Sequence, residues 1–480
     1  MRLFDLIEGL ALEVRGARLA HRAACEIIDV VTDTAQASET TIFVCTRTAL
    51  HDGHTRAYAA YSAGCRVFVA ARGLGLPDDA TVLVSEDCNE ALAMLAARCY
   101  GHPARRLCVF GITGSAGKTS VAYLLAHVLR CSHRRVAVIT DEGITVDGVH
   151  TPPDAIVPDA ADLQRHLRNF ANAGVECVVL EFSAYQLSQK VAFCIPFTAV
   201  LLTNFRENQP VESALRATPA YRTAKQSLLM ADAAFAVVPT EQASFLTRGQ
   251  RVTYGDGGDF TARDAYVDEA LVTHMTLCEG ADKIQISMPV ARDIAVENAL
   301  AAMALARIAG CSTEEIGRFL SEPIETGRME RICRYRERTV FVDSAYTADG
   351  VVHALEQLRR VCRGRLSVLL GAVGGRARSR RAPLARAAVR FADFVYFTAD
   401  NPDYESPEEI CAELASYVTG AGNYTVIPDR RAAITRAVHE MRPGDILLLA
   451  GKGNESYQLI FGRREPFSER EITKEAMAMR

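Results

Sequence analysis

The sequence predicts an α/β protein built on parallel sheets, and three observations carry that prediction. Short apolar runs alternate with helix-period stretches along most of the 480 residues, the pattern of strands joined by crossover helices. One of those runs opens into a glycine loop and then at once into a helix. No internal repeat and no low-complexity linker interrupts the alternation. The length suits about three domains. With 49% hydrophobic and 23% charged residues the chain can bury full cores and is not a disordered protein.

Three blocks follow from the pattern. Residues 1–104 carry short strands at Thr41–Cys45, Val67–Ala70 and Thr81–Val84, with helices over Thr55–Gly64 and Glu90–Tyr100. Tyr100-Gly-His-Pro103 marks the first boundary. Residues 105–330 alternate strands at Leu107–Ile112, Arg135–Thr140, Cys177–Glu181, Thr198–Thr203 and Phe235–Pro239 with helices, and Thr253–Met288 is richer in β pattern. This predicts a central parallel sheet with its loop chemistry at strand C-terminal ends. Residues 331–480 alternate again, at Thr339–Val342, Leu366–Leu370, Phe394–Phe397, Tyr424–Ile427 and Ile446–Ala450, and predict a second, Rossmann-like open sheet.

The densest information lies at Val109–Ser120, Val-Phe-Gly-Ile-Thr-Gly-Ser-Ala-Gly-Lys-Thr-Ser. Strand, glycine loop, Lys118-Thr119 and helix together make a phosphate cradle. Gly114, Ser115, Ala116 and Gly117 form the loop, and Ser120 lies in the first helical turn. Glycine lets backbone N–H groups turn toward a polyphosphate, the helix N-terminus favours negative charge, lysine reaches the terminal phosphates and threonine can ligate Mg²⁺. The match is to the shorter Thr-Gly-x-x-Gly-Lys-Thr form, since Ile112 stands where the strict pattern has glycine. A glycine-rich turn with a surface lysine is the plainer alternative, and the flanking strand and helix weigh against it.

Other classes are excluded by composition. A net charge of −4 and a pI near 6.3 argue against nucleic acid as the main partner. Met1–Ala20 is broken by Asp5, Glu8 and Glu13 and is no signal peptide. No apolar run reaches membrane-spanning length. The 14 cysteines are scattered singly without a Cys-x-x-Cys pair, so they read as reduced, mostly buried thiols of a cytoplasmic protein rather than as zinc or redox centres.

Further motifs sit where α/β enzymes keep their chemistry. Val178–Ser183 is a strand ending in Glu181, and a carboxylate there, beside a phosphate loop, suits a hard cation bridging to ATP. Taken alone it reads equally well as a solvated glutamate. Gly327-Arg328-Met-Glu330 falls at the second boundary. Asp343 ends a strand, Asp400-Asn401-Pro-Asp403 follows another, and Ala450-Gly451-Lys452-Gly453-Asn454-Glu455 a third. Each could be an ordinary turn.

Their order and spacing point further. The chain resembles the Mur ligases, specifically the MurE type that adds the third amino acid to UDP-N-acetylmuramoyl-L-Ala-D-Glu, over nearly its whole length. The resemblance rests on Asp52-Gly-His54, Tyr100-Gly-x-Pro103, Thr151-Pro152-Pro-Asp154, Tyr221-Arg-Thr-Ala-Lys225, Gly327-Arg-Met-Glu330, Asp429-Arg-Arg431, Ala450-Gly-Lys-Gly453 and Phe467-Ser-Glu-Arg-Glu471. It implies the three-domain architecture of that family: a UDP-sugar-binding-like domain, a central ATP-binding domain and a C-terminal amino-acid-binding domain. It implies a ligase of peptidoglycan precursor synthesis that uses ATP and Mg²⁺ and passes the γ-phosphoryl group to a D-Glu carboxylate, after which an amine attacks the acyl phosphate.

Residue roles follow from the same resemblance. Lys118, Glu181, Lys225, Arg328 and Asp343 would be catalytic, with Asn298 and Arg328 joining the loop at the nucleotide. Thr119, Glu181, Asn208 and Lys225 would serve the metal, Lys225 by carbamylation; a helix-surface lysine is the alternative there. Thr34, Thr151, Pro152, Asp154, Ser183, Asp400, Asn401, Asp403, Gly451 and Glu455 would meet the UDP-sugar dipeptide or the amino acid.

The chain departs from the family pattern at several of these positions. Asn208 and Asn454 stand where the family has histidine, as do Tyr185 and Tyr346. Ala295 replaces an asparagine, and Asp33-Thr34-Ala35 replaces Asp-Ser-Arg. Gly374-Gly-Arg-Ala-Arg-Ser-Arg-Arg381 carries four arginines that either grip anions or form a solvated basic turn. Asp403 occupies the place of the arginine that binds the distal carboxylate of meso-diaminopimelate, which favours L-lysine or L-ornithine instead. Two functions are therefore compared: an acid–amino-acid ligase, and a Mur-fold nucleotide-binding protein, a scaffold or regulator, whose ligation is lost or altered.

Overall fold

A computed structural model describes residues 1–15, 25–48, 52–151, 159–205, 219–246, 250–268, 272–288, 292–322, 324, 327–375 and 378–479. The chain divides into two compact units. The first holds Met1–Lys118, Val128–Asp259 and Met303–Ser312, the second Thr119–His127, Phe260–Ala302 and Thr313–Arg480.

The first unit contains two sheets. In the N-terminal one the order is Glu13–Arg15, Thr81–Val84, Val67–Ala70, Thr41–Val44, Asp29–Val31, parallel except for the first pair. Its inner strands Thr41–Val44 and Val67–Ala70 are apolar on both faces: Ile42, Val44, Val67 and Val69 pack against Leu92 and Leu95 of helix Cys88–Cys99, while Phe43 and Phe68 fill the opposite side with Ala57 and Ala60. Burial on both faces is what a parallel strand requires.

The second sheet of this unit runs Gln250–Tyr254, Ala233–Pro239, Phe197–Leu202, Cys108–Thr113, Cys177–Glu181, Val136–Thr140, all parallel. It continues into the antiparallel strands Gly143–Val146 and Val149–Thr151, which the strand–helix alternation did not mark. Cys108–Thr113 thus lies deep inside the sheet, and Val109, Phe110 and Ile112 are fully buried. Gly111 sits in it because a Cβ there would come within 2.8 Å of the Phe197 ring.

The second unit holds the antiparallel strands Phe260–Val267, Thr273–Glu279 and Asp282–Met288. It also holds an open sheet ordered Glu330–Tyr335, Arg338–Asp343, Ile446–Ala450, Leu366–Ala372, Phe394–Ala399, Tyr424–Val426. Only the first pair of that sheet is antiparallel. Helices Ala348–Arg359, Arg381–Phe391 and Pro407–Ser416 pack one face through Leu355, Leu384 and Ile410, and helices Arg430–Glu440 and Glu469–Ala478 pack the other through Ile434 and Ile472. The C-terminal ends of its parallel strands carry Asp343, Asp400 and Gly451.

The expected strands lie within about two residues of those observed. The expected helix Thr55–Gly64 begins differently: Asp52 accepts from the His54 N–H at 3.0 Å and starts a 3₁₀ turn over Gly53–Arg56 before the α-helix Ala57–Ser62. The cysteines described are all free thiols. No helix among the described residues is long and apolar enough to cross a membrane.

Candidate active site

In the first unit the phosphate loop is held by residues far from it in sequence. Gly114 has φ +153°, and a Cβ there would fall 1.8 Å from Thr203 Oγ1; Gly117 has φ +83° and turns the chain into helix Lys118–Cys131. Thr203 Oγ1 donates to Ala116 O at 2.6 Å. The Ser115 N–H donates to Asn204 O and the Ala116 N–H to Asn204 Oδ1, both at 3.0 Å. Those two amides are therefore spent on holding the loop's shape. The first N–H groups of the helix, from Lys118, are the donors an anion meets, since a helix start leaves its first four amides without intrahelical partners.

Glu181 ends the strand next to the loop strand, in register with Ile112. It is 4% exposed, which removes the reading as a solvated glutamate, and its Oε1 lies 3.4 Å from Lys118 Nζ. Thr119 is buried in the first helical turn and Ser120 is half-buried. Lys225, on helix Pro219–Leu229, is 3% exposed and so is no surface lysine. Its Nζ donates to Gly114 O at 2.6 Å and lies 4.9 Å from the centre of the Tyr221 ring. Ser183 caps helix Ala184–Ser188 through the Gln186 N–H. Lys118, Glu181, Lys225 and the glycine loop thus converge in this unit.

The N-terminal signatures prove structural in their contacts. His54 bridges Asp52 Oδ1, at 2.7 Å, and the Ala71 N–H, at 3.0 Å. The Tyr100 hydroxyl bonds to Asp29, and Arg165 reaches both, at 3.0 Å to Tyr100 and 3.2 Å to Asp29. Asp33 caps the 3₁₀ turn that carries half-buried Thr34, and Thr151 is exposed at the end of its strand. Pro152, Asp154 and Asn208 lie outside the described residues.

In the second unit Asp343 is buried and accepts from the N–H groups of Met329, at 2.7 Å, and Ala345, at 2.8 Å. Burial pushes its carboxyl upward, and the Arg328 guanidinium opposes that. Asp343 therefore positions the Gly327–Glu330 segment. Glu330 is gripped by Arg470 at 2.7 Å, and Arg470 also holds Asn454 Oδ1 at 2.7 Å. Asn298 is buried in helix Arg292–Ile308, as is Ala295.

Lys452 organises the loops beyond the open sheet, a role that its place in the Ala450–Glu455 motif did not reveal. Its fully buried Nζ donates to Asn401 Oδ1 (2.9 Å), Tyr457 O (2.9 Å) and Glu455 Oε2 (3.1 Å), and lies 3.4 Å from Asp400 Oδ1. The Asn401 Nδ2 group donates to Glu455 at 2.9 Å. Burial raises the Glu455 pKa and Lys452 counters it. The signal was a lysine between two glycines in a Gly-Lys-Gly turn. Asp403 has φ +54°, and its Oδ1 accepts from the Gly462 N–H at 2.7 Å. Gly451 has φ +114° against Asp400.

Both readings of the arginine-rich turn are corrected at Arg381. It is 2% exposed and bonds Glu405 at 2.7 Å and Glu413 at 2.5 Å, and Arg378 adds a bond to Glu405 at 3.1 Å. Arg381 thus serves a half-buried ion cluster, while Arg378 and Arg380 are exposed as a solvated basic turn expects. The Arg381 bonds draw Glu405 down to about 2.

Known proteins place this arrangement. Residues 112–306 match the Mur ligase middle domain, and residues 327–453 the Mur ligase glutamate ligase domain. A UDP-N-acetylmuramoyl-L-alanyl-D-glutamate–2,6-diaminopimelate ligase of Caldanaerobacter subterraneus is 31% identical over 490 residues, covering 100% of this chain and 99% of its own. UDP-N-acetylmuramyl-tripeptide synthetase 2 of Oceanobacillus iheyensis is 28% identical, covering 99% and 98%. A solved UDP-N-acetylmuramoyl-L-alanyl-D-glutamate–2,6-diaminopimelate ligase superposes with a TM-score of 0.69 at 25% identity, covering 100% of this chain and 99% of that one. MurF from Acinetobacter baumannii shares the fold, with a TM-score of 0.57 at 16% identity over 98% of this chain and 100% of its own. A relation that runs from end to end, with the glycine loop inside one matched domain and Arg328, Asp343 and Lys452 inside the other, makes this chain a member of the Mur ligase family.

Proposed function

We propose that the chain is an ATP-dependent ligase that joins an amino acid to the D-glutamyl end of UDP-N-acetylmuramoyl-L-alanyl-D-glutamate in peptidoglycan precursor synthesis. The observation that carries this is the pairing of half-buried Lys118 with buried Glu181 at 3.4 Å beside the glycine loop. It supplies a phosphate-reaching cation and a hard anionic oxygen at one place.

The residues present fit Mg-ATP. The loop is closed to side chains at Gly114 and pre-shaped by Asn204, the helix start offers amides, and Thr119 with Glu181 offers oxygen ligands suited to Mg²⁺. Bound there, Mg²⁺ would neutralise charge on the transferring phosphoryl group. The protein's own part is positioning. Lys118 draws the terminal phosphates, and Lys225 fixes the Gly114 carbonyl so that the loop holds its shape without a ligand. Asp343 holds Arg328 in the segment Gly327–Glu330, where we assign it to the nucleotide together with Asn298. The proposed division is a UDP-sugar-binding part at 1–104, an ATP-binding part at 105–330 and an amino-acid-binding part at 331–480, with Thr34, Thr151 and Ser183 facing the sugar dipeptide.

The finer reading concerns the amino acid. Asp403, two residues beyond Asn401, stands in the sequence where diaminopimelate-adding enzymes of the family it resembles carry arginine, and a carboxylate in that place supports L-lysine or L-ornithine over meso-diaminopimelate. Two of the proteins named above, the Caldanaerobacter relative and the solved ligase of TM-score 0.69, carry 2,6-diaminopimelate in their names, and the tripeptide synthetase does not. Release of phosphate from ATP with UDP-N-acetylmuramoyl-L-Ala-D-Glu, across a panel of amino acids, tests both levels. The replacements at Asn208 and Ala295 favour the second reading, a nucleotide-binding protein without ligation. Turnover with any amino acid in that assay removes it, and ATP binding with no turnover across the panel removes the first.

A further inference from the structure

Cys108 and Cys177 make a thiol pair that the phosphate chemistry does not use. They stand opposite each other on adjacent parallel strands, Cys108–Thr113 and Cys177–Glu181. The Cys108 N–H donates to Glu176 O at 2.9 Å, which pins that register. Residues paired in this way point their side chains to one face of the sheet, with Cα atoms about 5 Å apart, inside the range of about 4.4–6.8 Å that a disulfide spans. Cys108 is exposed and Cys177 buried. Arg134 places Nη1 3.8 Å from Cys177 Sγ, while its Nη2 is tied to Ala309 O at 2.6 Å.

We propose that Cys108 and Cys177 are a reversible redox modification site, with exposed Cys108 as the thiol that meets a peroxide-class oxidant and Cys177 as the thiol that resolves it. Cys108 sulfur attacks one peroxide oxygen, the O–O bond breaks, and one water leaves as Cys108 becomes a sulfenic acid. Cys177 sulfur then attacks the Cys108 sulfur, its proton passes to the departing hydroxyl, and a second water leaves as the S–S bond forms. The thiol pair gives up two electrons and one peroxide becomes two waters, so the step balances. Burial first, and then the neighbouring Cys108, push the reduced Cys177 thiol up to about 11, with the Arg134 hydrogen bond opposing. The reduced buried thiol therefore stays protonated and quiet until its neighbour is oxidised. Arg134 then favours the developing thiolate. The bond would staple the starting ends of the two strands whose far ends carry the glycine loop and Glu181.

The test is peroxide treatment of the full chain, alkylation of the remaining thiols, and peptide mapping without reductant. The expected result is a linked pair of peptides containing Cys108 and Cys177, reversed by dithiothreitol, with a thermal midpoint several degrees higher in the oxidised protein. Cys108→Ser should abolish the link and leave Cys177 alkylatable only after unfolding. Cys177→Ser should leave Cys108 as a sulfenic acid that dimedone traps. If Cys177→Ser does not fold, the map of wild type beside Cys108→Ser decides alone. Cys108 linked to a different cysteine, or wild-type Cys108 ending as an unlinked sulfenic acid or thiol, overturns the proposal.

Discussion

Lys118 Nζ lies 3.4 Å from Glu181 Oε1, a cation and an anion brought together from the start of a helix and the end of a neighbouring strand. Glu181 is almost wholly buried, and the lysine beside it supplies an opposite charge at that depth. On the function proposed above, the pair separates its duties when nucleotide arrives, the lysine turning to phosphate and the carboxylate to a cation. Lys118→Ala and Glu181→Ala should each lower phosphate release by more than about tenfold, since a phosphate-contacting charge is worth over roughly 1.4 kcal/mol. Calorimetry with Mg-ATP checks the cause. Unchanged affinity and turnover in both variants would sink the assignment.

Lys225 ties a helix to the Gly114 carbonyl at 2.6 Å. Lys225→Met keeps the buried stem and removes the donor. Leaving that carbonyl without its charged partner should cost about 1–3 kcal/mol, read as a lower thermal midpoint. Mg-ATP affinity should fall roughly threefold or more as the loop loosens. A variant equal to wild type in both measurements contradicts the role given to this contact.

The Arg381–Glu405 cluster gives a pH signature. Hydrogen bonds from Arg381 hold the Glu405 carboxyl at about 2, below its ordinary 4.5. A lowered carboxylate contributes stability above its unfolded value, so the contribution is present from about pH 5 upward and is lost as pH falls from 4.5 toward 2. The difference corresponds to about 3 kcal/mol at most, which water at the rim of the cluster reduces to about 1–2 kcal/mol. Glu405→Gln should therefore be less stable than wild type near neutrality, and the gap should close as acid is added. Denaturant titrations at a series of pH values measure it, and a gap that does not vary with pH refutes the argument.

Asp403 tests amino-acid choice. A second carboxylate about 4 Å away at an effective dielectric near 20 would be repelled by roughly 4 kcal/mol before water screening. Asp403→Asn is the cleaner variant, because asparagine tolerates the left-handed backbone at φ +54° and can still accept from Gly462. In competition between meso-diaminopimelate and L-lysine, wild type should favour lysine and Asp403→Asn should narrow the preference, with Asp403→Arg moving it further. Efficient use of diaminopimelate by wild type would end this reading.

Much of the fold was legible because it is written locally. Apolar runs such as Cys177–Glu181 and Ile446–Ala450 are buried on both faces, and that alone marks a parallel strand between helices. The glycine loop was legible because its backbone demands, φ +153° at Gly114 and +83° at Gly117, admit little but glycine. The antiparallel strands Gly143–Val146 and Val149–Thr151 were missed because they are short and half exposed, so their composition is that of a turn.

What the residues alone determined, then, is the class of fold, the place of the phosphate loop and the order of the motifs. Which charged side chain meets which partner was decided only by the tertiary structure. Lys225 reaches Gly114 across 111 positions, Lys452 reaches Asn401 across 51, and Arg381 turns inward to Glu405 where a basic turn was read. The physical reason is that hydrophobic periodicity reports how deeply a segment is buried. A buried charge is tolerated only by the particular groups that surround it, and those groups come from strands and loops that adjoin only once the sheet order is set.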